Sequence, residues 1–249
     1  MFETTIPFGE PELMRASAYR LYLKELEAEA AQSGVSSRIS SLSPSLRADL
    51  YRFEAGGGTS EVLEVVAACV RHGKRVTIHL QFGERVLPLT VFPQERLVHS
   101  PVPTDQLYGD PLAKLRVMHV EPALLRPPGD VERALVGELR LHSPLAPLLW
   151  ELAMRGIRDD LLPEIAGPAA YRVAPSLDLQ GIALSGSLRS VIERLRRQTT
   201  GLRELSTWPG LDRVRAARLL NALYLQAGLI VSRSHPGAVS EHWFSALGR

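Results

Sequence analysis

Histidine is the side chain most often used to move a proton or hold a metal near neutral pH, and this chain carries seven: His72, His79, His99, His119, His142, His235 and His242. No pair of them stands with a carboxylate at metal-ligand spacing. No metal or other cofactor is therefore expected. His79, His99 and His119 fall on segments of strand character and would converge only if those strands were neighbours, so solvated or hydrogen-bonded histidines are the simpler expectation. The serines offer no Gly-x-Ser-x-Gly elbow, and Ser185-Gly186-Ser187 reads better as a helix cap. Asp159-Asp160 would point two ways on a helix, which suits a surface and not a paired-carboxylate site. No catalytic residue is assigned on these grounds.

Two further features could carry chemistry and have plainer explanations. Gly56-Gly57-Gly58-Thr59-Ser60 could cradle an anion on free backbone N–H groups, but it lacks the lysine of a nucleotide-binding loop and follows no clear strand, so it reads as a joint. The single cysteine, Cys69, lies in the apolar string Val65 to Val70 and reads as core packing in a reducing compartment.

Charge is distributed unevenly. The net charge is +2, yet Gly186 to Arg249 holds ten arginines against four acidic residues, while Met1 to Ser185 holds 19 basic against 23 acidic. Arg189, Arg194, Arg196, Arg197, Arg203, Arg213 and Arg233 could line a phosphate-seeking surface. They could equally end helices, where cations favour the negative pole of the dipole. Lysine occurs only at 24, 74 and 114, a usage associated with GC-rich bacterial genomes.

The elements that must position these residues are legible in part. An amphipathic helix is predicted from Pro11 to Gln32, a second from Thr59 or Ser60 through Val70, with a short piece around Leu46 to Phe53 between them. Val76, Ile78, Leu80 and Phe82 alternate with polar residues before Gly83-Glu84 and the run Val86 to Phe92, which predicts a β-hairpin whose second strand, with Pro88 and Pro93, is an edge or carries a bulge. Arg96–Ser100 and Leu115–Glu121 are further strands. His142-Ser143-Pro144 reads as the cap and first turn of a helix through Trp150 to about Arg155, and Tyr171-Arg172-Val173 as a short strand. Beyond Ser185 come a helix to Arg197, a short helix to Thr207, a turn at Trp208-Pro209-Gly210, a longer helix from Leu211 to Ala227 stopped by Gly228, and a hairpin from Leu229–Arg233 back through Ala238-Val239.

The clearest composition break, Arg126-Pro127-Pro128-Gly129-Asp130, divides the 249 residues into an α/β domain (1–128), a helical connector (129–185) and a C-terminal module (186–249). The class expected is α+β: a small antiparallel sheet with packed helices, then a mainly helical module. Leu202-Arg203-Glu204-Leu205, Leu219-Leu220, Leu223 and Gly228-Leu229-Ile230 make the last quarter of the chain resemble the winged-helix segment of bacterial signalling and gene-regulatory proteins. That resemblance implies a module that reads DNA in many families and docks proteins in many others. On a helical wheel Ala216, Leu219, Leu220, Leu223 and Tyr224 take one side of the third helix, while Val214, Arg215, Arg218, Asn221, Ala222 and Leu225 take the other. Val214, Arg215, Arg218, Asn221 and Leu225, with Arg233 on the wing, are accordingly the candidate contacts for a partner protein or for nucleic acid.

Neither a secretory signal nor an apolar run of the ~20 residues that span a bilayer is visible, so a cytoplasmic protein without a membrane partner is expected. The function expected is a non-catalytic bacterial regulatory or adaptor protein acting through another protein. The alternatives are a DNA-binding transcriptional regulator and an enzyme with an unrecognised site in the α/β half. The edge strand near Val86 to Phe92 and the exposed Val214 and Leu225 would also suit a homo-oligomer.

Overall fold

The computed structural model describes residues 13–33, 42–55, 62–108 and 110–238. The chain forms two compact units, 1–145 and 146–249. Its class is α+β, as the alternating and helical patterns predict.

In the first unit, α1 (Ala16–Ser33), α2 (Pro44–Ala55), α3 (Val62–His72) and α4 (Asp110–Lys114) accompany β1 (Val76–Phe82), β2 (Arg85–Phe92), β3 (Leu97–His99), β4 (Arg116–Pro122) and β5 (His142–Pro144). The strands form one antiparallel sheet in the order β4-β1-β2-β3-β5. Period-two alternation sends Val76, Ile78 and Leu80, with Leu87, Leu89 and Val91, to a fully buried face. Gly83, at φ +59°, makes the hairpin turn. α3 is buried along almost its whole length, Cys69 included.

Two expectations about this sheet are corrected. β2 is neither a free edge nor bulged against β1: β1 pairs with Arg85–Val91 without a register shift and β3 with Thr90–Phe92. Pro88, which has no N–H to donate, sits in the half that β3 does not reach, so its message was local. His142-Ser143-Pro144 is not a helix start but the edge strand β5, paired with β3, and the helix begins at Leu145. That pairing carries the first unit past Pro128 to Leu145. The residues after Pro128 fold back on the sheet side through such bonds as Arg126 N–H to Leu135 O and Ser100 N–H to Leu141 O.

The second unit holds α5 (Leu145–Arg155), β6 (Ala170–Val173), α6 (Gly186–Arg197), β7 (Thr200–Gly201), α7 (Leu202–Leu205), α8 (Arg213–Leu225) and β8 (Leu229–Ser232). Its sheet runs β7-β6-β8, antiparallel. The partner of β8 is thus β6, from the expected connector, which therefore belongs to the same unit as the tail. Val239, the other half of the expected hairpin, lies outside the described residues, as do Gly56 to Ser60 and His242. Ser185 caps α6 and Asp212 caps α8. Past α8 the positive φ falls on Ala227, at +55°, and not on Gly228. Gly228 is required for another reason: a Cβ there would lie 2.3 Å from Leu177 Cδ1.

Candidate functional site

The histidines were the first candidates, and sheet register decides which of them meet. His79 stands opposite His119 across β1 and β4, with the rings 6.0 Å apart. One pair along, Glu121, Thr77, Thr90, His99 and His142 form a continuous row across all five strands. The Thr77 and Thr90 hydroxyls are 3.0 Å apart within that row. His99 therefore meets His142, at 4.8 Å between rings, and is separated from His79 by β2. The convergence of His79, His99 and His119 does not occur.

Tyr19 of α1 closes over His79, its ring edge-on at 4.9 Å and its hydroxyl bonded to His79 Nδ1. On the other side His79 Nε2 lies 3.5 Å from Glu121 Oε1. Burial, with a smaller contribution from His119, pulls His79 down to about 4. Burial and then Glu121 push Tyr19 above its ordinary value. At neutral pH the phenol therefore donates to a neutral imidazole whose Nε2–H faces the carboxylate. Tyr19 is 6% exposed and packs with Ala16 and Val86, so this chain of groups fastens α1 to the sheet. No cluster of three or more metal-ligating side chains occurs among the described residues.

In the second unit the expected contact face is taken up by the protein itself. From Ala216 onward α8 is buried on nearly every side: Ala216, Ala217, Leu219, Leu220, Asn221, Ala222, Leu223 and Leu225 all lie in the interior. Asn221 accepts from the Leu162 N–H at 2.9 Å and donates to Asp160 O at 3.0 Å. Arg218 donates to the carbonyls of Gly156 (2.9 Å), Arg158 (3.1 Å) and Met154 (3.4 Å) and to Asp159 Oδ1 (2.9 Å). Arg233 donates to the carbonyls of Glu164, Ala166 and Pro168. Leu225 is core, 5% exposed. Of the six residues singled out from sequence, Asn221 and Leu225 are thus removed from the surface, and Arg218 and Arg233 are engaged with backbone.

A shared physical cause underlies this. The segment between α5 and α6 has little regular structure apart from β6, so its carbonyls need partners other than a ladder. Arginine, with five fixed donors, supplies them. Arg158 serves Asp160 O and Leu161 O, Arg196 serves Pro175 O and Leu177 O, and Arg172 serves Arg196 O, besides the bonds of Arg218 and Arg233. Of the tail's ten arginines, Arg196, Arg218 and Arg233 are structural in this sense.

Val214 and Arg215 remain, in the first turn of α8, and they line a groove of about 460 Å³. Trp150, Met154, Ala183, Leu188 and Val214 give it apolar surface. Trp150 and Leu188 are buried in its floor, and Val214 is 37% exposed. Glu151, Arg155, Asp212, Arg215 and Arg218 bring charge to it. Arg155 Nε pairs with Glu151 Oε2 at 2.9 Å, and Asp212 accepts the Arg215 N–H at 2.7 Å as the helix cap. The Arg215 guanidinium has no ion pair or hydrogen bond among the described residues. Sequence analysis missed Trp150, Met154 and Leu188, which carry no signal beyond being apolar residues in helices.

No helix among the described residues is long and apolar enough to cross a membrane. Comparison with protein-family models, with curated proteins and with solved structures finds no match to this chain.

Proposed function

We propose that the protein is a non-catalytic cytoplasmic adaptor or regulator that works by docking another protein, and that the groove at the first turn of α8 is the docking surface. The observation that carries this reading is the burial of α8 beyond Arg215. A helix that reads base edges must offer an exposed polar face to the major groove, and here Asn221 is buried and Arg218 is bound to its own chain. What the first turn of α8 leaves accessible is Arg213 and Val214, with the half-buried, unpaired Arg215 beside them, a mixture found where proteins meet proteins. The order β6, α6, β7, α7, α8, β8, with β6 between β7 and β8, is compatible with the winged-helix-like module of this proposal, whose use for docking rests on the burial of α8 and not on topology.

A photo-crosslinking residue placed at Val214 tests this in the cells that make the protein. The expected adducts are with one or a few defined proteins and disappear when Met154→Glu is added. Adducts with nucleic acid, or protein adducts indifferent to Met154→Glu, would contradict the reading.

A further inference from the structure

The unbalanced charge around the groove indicates the chemistry of its occupant. The Glu151 charge is paired with Arg155, although its buried Oε2 accepts no hydrogen bond among the described residues, and Asp212 accepts the Arg215 N–H as the cap of α8. Arg215 is answered by nothing among the described residues. The groove further receives the capped N-termini of α6, 12 residues, and α8, 13 residues, whose dipoles favour negative charge. Its floor is apolar. The vacant features are therefore a hydrophobic seat and a positive rim.

We infer that the groove takes a short segment of a partner protein in which a bulky apolar side chain is flanked by Asp or Glu: the apolar group enters between Trp150, Leu188 and Val214, and a flanking carboxylate meets Arg215. This rests on the docking reading above and adds the partner's chemistry. Carboxylate recognition suits arginine because its planar fork bonds both oxygens together. An exposed rim pair contributes little alone and chiefly sets selectivity, so the apolar anchor must supply most of the affinity.

The test is selection from a phage-displayed library of random dodecapeptides on the full chain, followed by titration of the selected peptides, synthesised with a fluorescent label. The expected consensus is an apolar anchor with neighbouring Asp or Glu. Val214→Glu should abolish binding, and Arg215→Glu should weaken it roughly tenfold, with the milder Arg215→Gln as the fold-safe control acting in the same direction. Selected peptides that need Val214 yet lack acidic positions and ignore Arg215→Glu would overturn the inference while leaving the docking reading intact. Peptides indifferent to Val214→Glu, or no selection at all, would sink both. A consensus that appears only after residues 239–249 are deleted would identify the chain's own tail as the occupant, against the proposal.

Discussion

The carboxamide of Asn221 bonds the backbone of Leu162 at 2.9 Å from the fully buried middle of α8, fastening an irregular segment to the central helix of its unit. Its amide group also reaches Asp160 O, so both ends of the side chain are used. A residue whose type suggests base recognition is here a substitute for missing secondary structure.

Removing that side chain leaves a buried N–H with no acceptor. Asn221→Leu should lower folding stability by about 1–3 kcal/mol, read as a fall in the urea midpoint at unchanged slope. Asn221→Asp, which keeps the acceptor for Leu162 N–H but loses the donor to Asp160 O, should give a different loss; equal stability of all three proteins would show that the bonds do not form.

Arg218 makes the same kind of fastening with charge. Arg218→Ala should cost about 1–3 kcal/mol and speed proteolysis between Met154 and Leu161, and Arg218→Lys should rescue little because a point charge cannot span three carbonyls and Asp159. Protease patterns identical to wild type in both variants would refute this.

Acid should loosen the first unit. The folded state holds His79 at about 4, below the 6.5 of an unperturbed histidine, so the unfolded chain binds the extra proton first. The stability from keeping His79 neutral is present above pH 6.5 and is lost as pH falls toward 4. His99 is shifted in the same direction by burial. Urea midpoints should drop across that window, and the drop should shrink in His79→Gln. An acid dependence unchanged by His79→Gln would place its origin elsewhere.

What the sequence made legible were the features set by neighbours in the chain: the hairpin at Gly83, the cap at Ser185, the extent of α8, and the strand at Tyr171 to Val173. Those depend on period, caps and turn chemistry, all local. His142 to Pro144 misled because Ser-Pro before an apolar run is a good helix start, whereas pairing with β3, more than forty residues upstream, decided the outcome. The wheel of α8 placed Arg218 and Asn221 together correctly but had no access to what would cover them. An aperiodic segment such as 156–169 leaves no pattern from which its path can be read, and its path is what converts a candidate reading face into interior. The groove was half visible, in Val214 and Arg215, and its apolar wall came from α5 and α6, distant in sequence.

The proposal that α8 docks a protein and does not read DNA rests on Asn221 and Arg218 being engaged by their own chain. Fluorescence anisotropy of the full chain against a short random-sequence duplex, titrated from low to physiological salt beside Arg215→Ala and Arg218→Ala, tests it most directly. The account predicts no saturable binding near physiological salt, with any weak low-salt signal unaltered by Arg218→Ala once folding is verified. Binding at micromolar or better that falls steeply with salt and weakens by about 1–3 kcal/mol in a folded Arg218→Ala variant would contradict it.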